Sequence, residues 1–143
     1  MKIQLLNFPI STGSYNSFID QLEKRVKSQT SSYVCVANVH MLVEAHKDPD
    51  FSAIINNADM VTPDGVPLTW GIRLLHGIKQ VRVAGMDLLP DLLRLSEVEN
   101  IPVFFYGGTQ EMLGLTEDFL QENYPNLIIA GMISPPFSWC LLP

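Results

Sequence analysis

Short apolar runs alternate with amphipathic helical segments along most of this chain, and this alternation limits the folds open to it. A short run that is apolar without a break is typical of a strand covered on both faces, as in a parallel sheet. A helical segment between two such strands is the usual crossover connection of an α/β fold. The apolar runs predict strands at residues 3–6, 33–37, 59–62, 102–106 and 127–130, with a loop or short strand at 79–84.

Helical periodicity fills the intervals between these strands. Pro49 is well placed as the first residue of a helix, where its missing N–H is not needed. The leucines between residues 88 and 95 are expected to face the core, with a membrane-facing role as the alternative. The predicted helices cover residues 15–27, a segment after His40 that ends at Asp48, a segment from Pro49, and residues 66–75, 87–97 and 110–123.

Three details of these helices are specific enough to check. Phe18, Ile19, Leu22 and Val26 fall on one face of the first helix. Pro90 falls in the first turn of the helix predicted at 87–97, where proline is tolerated. The last helix carries one apolar face, formed by Met112, Leu115 and Phe119.

The order of the elements predicts a Rossmann-like α/β fold, with a mainly parallel sheet and helices on both faces. We expect one domain over residues 1–137, followed by an atypical tail at 138–143. Ligands of such sheets bind outside the carboxyl ends of the strands. Asn38, Asp64 and the pair Gly107–Gly108 each follow a predicted strand directly. The sequence therefore predicts a ligand site at this edge of the sheet.

Composition excludes several classes of function. The formal net charge of −6 argues against a broad nucleic-acid surface, which needs a basic face. Cys35 and Cys140 form no C-x-x-C pair or disulfide framework, which suits a reducing cytoplasm. His40, His46 and His76 lack the H-E-x-x-H spacing or cysteine partners of a zinc site, so no metal is expected.

The sequence also carries no secretory signal and no apolar run near the roughly 20 residues that span a bilayer. We therefore expect a cytoplasmic protein that is soluble or peripheral at the inner face of the plasma membrane.

The segment V-T-P-D-G-V-P-L-T-W-G, residues 61–71, contains the candidate catalytic side chain. Asp64 follows a predicted strand and precedes a predicted helix. A carboxylate at that point can take a proton from an acceptor hydroxyl. It can equally cap the helix that begins after Gly65, because aspartate is a favoured cap. Local sequence leaves both interpretations open.

Neighbouring polar residues allow similar pairs of interpretations. Asn38 can hydrogen-bond a sugar or end its strand through an Asx turn, and His40 lies close by in the sequence. Arg82 can hold a phosphate or a sugar hydroxyl through its planar guanidinium. Asp87 can bind a sugar hydroxyl or cap the helix that follows it.

Gly107–Gly108 stands before a helix, where backbone N–H groups can bind phosphate or a uridine edge. The pair can also form an ordinary tight turn. The surrounding G-G-T-Q-E-M-L-G lacks the G-x-G-x-x-G fingerprint, and no G-x-x-x-x-G-K-[ST] loop occurs. This weighs against a dinucleotide dehydrogenase or a P-loop NTPase.

Five ordered segments resemble one known family, the WecG/TagA/CpsF glycosyltransferases, over about residues 3–137. They are A-N-V-H-M-L-V-E-A (37–45), T-P-D-G-V-P-L-T-W-G (62–71), R-V-A-G-M-D-L (82–88), V-F-F-Y-G-G (103–108) and S-P-P-F (134–137). P-D-G alone is a weak signal, but the ordered set is specific.

The resemblance implies transfer of an N-acetylhexosamine or hexose from a UDP-sugar to a polyprenyl-diphosphate-linked sugar. Such transfer builds bacterial surface polysaccharides or teichoic acid linkage units. It implies inversion without a metal or other cofactor, with Asp64 as the base. It also implies that the substrates contact Asn38, His40, Gly65, Arg82, Gly85 and Asp87, and that the nucleotide contacts Gly107 and Gly108.

The chain departs from the family pattern in two ways. Threonine is usual near Ala37, and family members continue past P-P-F with a P-K-Q-E-type motif and an arginine-rich C-terminal appendage, to which membrane recruitment is attributed. We therefore expect a chain truncated at its C-terminus. The alternatives to an active enzyme are a remnant that at most binds UDP-sugar, and a truncated product without function. Peripheral membrane contact and homo-oligomerisation are further expectations.

Overall fold

The computed structural model describes residues 1–136. Phe137 of the S-P-P-F motif, Cys140 and the tail predicted at 138–143 therefore lie outside the described residues. Residues 1–136 form six strands and six helices. Two of the three strand pairs are parallel, so the predicted mixed α/β class with parallel strands is confirmed and is consistent with a Rossmann-like fold.

The chain divides into two compact units, residues 1–89 and residues 90–143. The prediction of one domain over residues 1–137 stays a prediction. The first unit contains β1 (Lys2–Leu5), β2 (Phe8–Ser11), α1 (Tyr15–Lys27), β3 (Val34–Ala37), α2 (Val39–Lys47), α3 (Pro49–Asn57), β4 (Met60–Pro63), α4 (Val66–His76) and the start of α5 (Gly85–Val98). The second unit contains the remainder of α5, β5 (Val103–Tyr106), α6 (Gln110–Asn123) and β6 (Ile129–Ile133).

Several helices begin and end where capping chemistry requires. The Ser14 side chain accepts the Ser17 N–H at the start of α1, and the Asp48 side chain accepts two N–H groups at the start of α3. Pro49 is the first residue of α3, as predicted. Gly77, with φ of 68°, closes α4 in the left-handed conformation that glycine adopts at low cost.

The first two strands form an antiparallel hairpin that the sequence analysis did not predict. Leu5 pairs with Phe8, so the connection is the two-residue turn Leu6–Asn7. The strand predicted at residues 3–6 is observed at Lys2–Leu5. Leu6 lies in the turn, with a φ of 57°. No glycine marks this turn, and Pro9 lies within β2, so the usual hairpin signals are missing.

Two parallel strands form the centre of the first unit. β3 pairs with β4 so that Val34 lies opposite Met60 and Ala37 opposite Pro63. β2 lies beside β4, where the Ser11 Oγ accepts the Val61 N–H at 3.0 Å. The hydrophobic core of this unit is formed by residues from the hairpin, the parallel pair, helices α3 and α4 and the C-cap of α3. They are Leu5, Phe8, Ile10, Ala37, Ile55, Ala58, Val61, Leu68 and Ile72.

The predicted helix faces are partly correct. In α1, Phe18 is fully buried, whereas Val26 at the C-terminal end is exposed. In α5, Leu88 and Leu93 are buried and Leu89 is exposed. The predicted core face of these helices is therefore correct for Phe18, Leu88 and Leu93 and wrong for Val26 and Leu89.

The start of α5 differs from the prediction. The helix begins at Gly85, two residues before the predicted Asp87, because the Ala84 carbonyl already accepts the Asp87 and Leu88 N–H groups. Pro90 therefore lies inside the helix and not in its first turn. A proline inside a helix removes one backbone hydrogen bond.

In the second unit, β5 and β6 are parallel, with an irregularity at Val103/Phe104. The last strand starts at Ile129 and ends at Ile133, later than the predicted 127–130, because the Leu127 N–H donates to the Tyr124 carbonyl and Leu127 therefore closes the preceding turn. Leu127 is buried in the core with Leu93, Leu120 and Tyr124.

The apolar face predicted for α6 is not the buried one. Leu113 and Leu120 are the buried residues of this helix. Met112, Leu115 and Phe119 do share a face, but all three are exposed. Helical spacing alone could not decide between the two sets.

Candidate functional site

The carboxyl ends of β3 and β4 bring two of the predicted site residues to one edge. Ala37 and Pro63 are partners in the parallel register, and Asn38 and Asp64 follow them directly. The Asp64 backbone N–H donates to the Ala37 carbonyl at 2.7 Å, which ties the two strand ends together. This is the edge at which parallel α/β sheets bind ligands.

Asn38 has a clear structural role at this edge. It is the N-cap of α2, and its Oδ1 accepts the Met41 N–H at 3.0 Å. Of the two interpretations left open by the sequence, the local backbone bond is therefore the one present. The side chain is exposed, and its Nδ2 makes no hydrogen bond to the described residues. That amide nitrogen can donate to a ligand while the oxygen continues to cap the helix.

Asp64 does not cap the helix that follows it. The N-cap of α4 is Gly65, and no side chain caps this helix. Gly65 has a φ of 144°, a conformation that favours glycine, and this separates Asp64 from the first turn of α4. The cap interpretation of Asp64 is thus wrong for α4, and the half-buried carboxylate is turned elsewhere.

The carboxylate of Asp64 meets the start of α5 instead. Its Oδ2 accepts the Gly85 N–H at 3.4 Å, while its Oδ1 makes no hydrogen bond within residues 1–136. Both α4 and α5 begin near this carboxylate, and helix N-termini favour negative charge. The Asp64 carboxylate thus lies at the edge of the strand pair, and its Oδ1 remains able to accept a hydrogen bond from a ligand.

A buried segment between α4 and α5 brings Gly85 to this position. The Val83 N–H donates to the Pro63 carbonyl at 2.9 Å, so the segment runs beside β4. Val83 and Ala84 are both buried, which fixes the chain just before α5. Residues 79–84, predicted as a loop or short strand, form no strand.

Arg82 and Asp87 flank the start of α5 and form an ion pair, with the Arg82 Nη2 3.2 Å from the Asp87 Oδ2. Asp87 lies in the first turn of α5 and does not precede the helix, so of its two interpretations the helix cap is wrong. Both side chains are exposed, and an exposed pair of this kind contributes little to stability. The Arg82 guanidinium therefore stays accessible to an incoming anion.

His40 lies in the first turn of α2, two residues after Asn38, and is exposed. His46 and His76 are also exposed. The His76 Nε2 lies 2.7 Å from the Gln4 carbonyl oxygen, at the far end of α4 from Asp64.

Thr62 is a feature that the sequence analysis missed. Its side chain is fully buried, and its Oγ1 has no hydrogen-bond partner among the described residues. Thr62 pairs with Val36 in the parallel register, so the two side chains point to the same face of the β3–β4 pair. The Val36 Cγ1 is the atom that a Cβ at Gly85 would contact, so Gly85 lies over that face. The hydroxyl without a partner is therefore on the same face as the contact between Asp64 and Gly85. A threonine inside an apolar strand gives no sequence signal of this kind, since such threonines are common in strands.

The glycine pair predicted to bind the nucleotide lies in the second unit. Gly107 and Gly108 have φ values of 125° and 73°, so the turn requires glycine at both positions. The Gly107 N–H donates to the Ile133 carbonyl, and the Gly108 carbonyl accepts the Ser134 hydroxyl. Thr109 caps α6. The Gly107 N–H, one of the groups predicted to bind the nucleotide phosphate, thus already donates a hydrogen bond within the second unit.

Two properties of the described residues complete the site's chemical setting. No group of three or more His, Cys, Asp or Glu side chains within residues 1–136 is arranged to hold a metal ion. In the same part of the chain, every helix is too short or too polar to cross a membrane.

Comparison with known proteins identifies a family. The model of the glycosyl transferase WecG/TagA/CpsF family matches residues 3–140. The chain is 28% identical over 126 residues to a Bacillus subtilis N-acetylglucosaminyldiphosphoundecaprenol N-acetyl-beta-D-mannosaminyltransferase, which covers 87% of the chain and 49% of that protein. It is 30% identical over 116 residues to the enzyme of the same name from Bacillus spizizenii, covering 80% of the chain and 45% of that protein.

A Staphylococcus aureus protein of the same name is 23% identical over 134 residues, covering 90% of the chain and 52% of that protein. The chain thus spans about half the length of the curated relatives that it matches.

Proposed function

The chain belongs to the glycosyl transferase WecG/TagA/CpsF family, and we propose that it takes part in transfer of an N-acetylhexosamine or hexose from a UDP-sugar to a polyprenyl-diphosphate-linked acceptor. The names of the relatives favour N-acetylmannosamine as the sugar and N-acetylglucosaminyl-diphosphoundecaprenol as the acceptor. The product belongs to bacterial surface polysaccharide or teichoic acid synthesis.

The observation that supports this proposal most is the placement of the Asp64 carboxylate. It lies at the ligand-binding edge of the β3–β4 pair, and it is not consumed as a cap of α4. Its Oδ1 has no partner within residues 1–136. A carboxylate so placed can act as the general base of the reaction.

The proposed reaction is a single displacement. Asp64 accepts the proton of the acceptor hydroxyl as the hydroxyl oxygen forms a bond to the anomeric carbon of the donor sugar. The bond between that carbon and the diphosphate breaks, and UDP leaves with the electron pair. The transition state has oxocarbenium character, as in glycoside hydrolysis. A single displacement inverts the anomeric centre, and the relatives' name gives the transferred sugar as β-linked.

Arg82 is the proposed partner of the departing diphosphate. Its guanidinium is exposed and is held by the Asp87 carboxylate at 3.2 Å. The contact with Asp87 is a single bond from Nη2, whereas a diphosphate can accept two parallel N–H bonds from the planar guanidinium. Asn38 can contribute its free amide N–H groups to the sugar, and His40 lies in the first turn of the helix that Asn38 caps. This mechanism uses no metal or other cofactor.

The proposed acceptor is lipid-linked, so the proposal places the protein in the cytoplasm, with peripheral contact at the inner face of the plasma membrane. Homo-oligomerisation and the absence of a nucleic-acid partner remain predictions from the sequence.

A second candidate function is UDP-sugar binding without transfer. It is favoured by the accessible Arg82 guanidinium and the exposed Asn38 amide nitrogen, which can hold a donor without any proton being taken from an acceptor. Binding of UDP without any transfer to the acceptor separates this candidate from the first.

Calorimetric titration with UDP tests the donor half of the proposal. We expect saturable binding to the wild-type chain, and binding about ten-fold weaker for Arg82→Gln, because a charge-assisted contact to phosphate is lost. Arg94→Gln is the matched control, since Arg94 forms a similar exposed pair with Asp91 at 3.5 Å and belongs to the second unit. Absence of binding, or equal weakening by both substitutions, contradicts the proposed donor site.

A further inference from the structure

We propose that Gly85 is a positioning residue for Asp64: its backbone N–H, at the start of α5, holds one carboxylate oxygen and thereby aims the other at the acceptor. This inference rests on the proposed function, in which Asp64 takes the acceptor proton. It differs from the role that the family resemblance implies for Gly85, which is direct contact with the substrate.

The N–H of Gly85 is available for this role because of where α5 begins. The Ala84 carbonyl accepts the Leu88 N–H at 2.9 Å, which makes Gly85 the first residue of the helix. The first N–H groups of a helix have no partner within it. The Asp64 Oδ2 supplies a partner from another segment, at 3.4 Å.

The donor is held rigidly relative to the strand that carries Asp64. The Val83 N–H is bonded to the Pro63 carbonyl, one residue before Asp64, and Val83 and Ala84 are buried. Donor and acceptor therefore belong to two backbone segments that are tied together within two residues of the contact.

The proposed role needs only the backbone N–H of Gly85 and does not need the residue to lack a side chain. The φ of Gly85 lies outside the left-handed region, and a Cβ at this position would meet the Val36 Cγ1 at 3.6 Å, an ordinary van der Waals contact. Alanine can therefore replace glycine while the N–H is kept. Proline removes the N–H, and the first helical position is the one where proline is best tolerated.

The contact is longer than a strong charge-assisted hydrogen bond between an N–H group and a carboxylate, which is usually 2.7–2.9 Å, since it measures 3.4 Å. Its orienting effect therefore depends on the backbone that fixes the donor beside β4. Only one of the two carboxylate oxygens takes part, so the other remains able to accept a proton.

The first test is spectroscopic and does not require turnover. In two-dimensional 1H–15N NMR of the whole chain, Asp64→Ala should move the Gly85 amide proton upfield and speed its exchange with solvent. The Gly77 amide, bonded to the Arg73 carbonyl at 3.0 Å, is the control and should not change. An unchanged Gly85 amide overturns the inference.

The second test compares Gly85→Pro with Gly85→Ala in sugar transfer. We expect kcat for Gly85→Pro to be about ten-fold below that of Gly85→Ala, with the KM for the donor similar in both, because the lost N–H acts on the base and not on the donor. Equal kcat values, or an effect confined to KM, overturn the positioning role. If the wild-type chain transfers no sugar, the proposed function fails, and the amide measurement still decides the role of Gly85.

Discussion

Replacement of Thr62 by valine should stabilise the protein, because the structure leaves the Thr62 hydroxyl buried without a partner among the described residues. Leaving a buried hydroxyl unsatisfied costs about 1–3 kcal/mol of folding free energy. Valine has nearly the same shape, and its neighbour across the register is Val36, so the packing of the strand is kept. We expect the free energy of unfolding to rise by about 1 kcal/mol, the low end of that range. For a chain of this size the melting temperature should rise by roughly 3–5 °C.

Thr62→Ser is the matched control. It keeps the hydroxyl and removes one methyl group, so it should lower the free energy of unfolding by about 1 kcal/mol. Urea denaturation followed by circular dichroism measures both variants. Loss of stability in Thr62→Val together with near-neutral Thr62→Ser would refute the reasoning, since it would mean that the hydroxyl has a partner in solution.

Two further predictions concern the first unit. Gln29 follows α1 with a φ of 53°, so Gln29→Gly should raise the free energy of unfolding by about 1 kcal/mol, whereas Ser28→Gly, at a φ of −75°, should lower it in the same denaturation assay. The N–H of Tyr33 and, to a smaller degree, the charge of Arg25 lower the pKa of the Asp59 carboxyl below its ordinary value of 3.8. The stabilisation from the Asp59 carboxylate is therefore complete above pH 3.8 and is lost as the pH falls through the lowered pKa. In Asp59→Asn, the free energy of unfolding should therefore fall less steeply as the pH is lowered below 3.8.

Helices were the most predictable part of the fold. The bounds predicted for α1 and α6, residues 15–27 and 110–123, are those observed. Both helices have a hydroxyl cap, Ser14 and Thr109, directly before an amphipathic segment, and local chemistry therefore defines their start. The start of α5 escaped prediction because no side-chain cap precedes Gly85, and its first turn is set by burial of Val83 and Ala84.

Long-range pairing explains what the sequence could not predict. β2 exists because Phe8 and Ile10 pack in the core and pair with β1 across a turn that has no glycine. In α6, the choice between two apolar faces depends on what the helix meets, and Leu113 and Leu120 are the residues buried. Spacing within one helix contains no information about its neighbours.

The candidate site was predictable in its position and less so in its contacts. The rule that ligands bind after the carboxyl ends of parallel strands placed Asn38 and Asp64 together, and they share that edge. The link from Asp64 to Gly85 depends on the Val83–Pro63 bond between segments distant in sequence. No local pattern marks that bond, and the capping rule pointed Asp64 to the wrong helix.

The most direct test of the account is transfer of radiolabelled N-acetylmannosamine from its UDP derivative to an N-acetylglucosaminyl-diphosphoprenol acceptor, with wild type, Asp64→Asn and Asp118→Asn compared. Asp118 is an exposed residue of α6 in the second unit and has no role in the proposed reaction, so its variant should match the wild type. The account predicts that Asp64→Asn binds UDP like the wild type but transfers sugar at least about 100-fold more slowly, the usual contribution of a general base. Transfer by Asp64→Asn at the wild-type rate would contradict the assignment of Asp64 as the base.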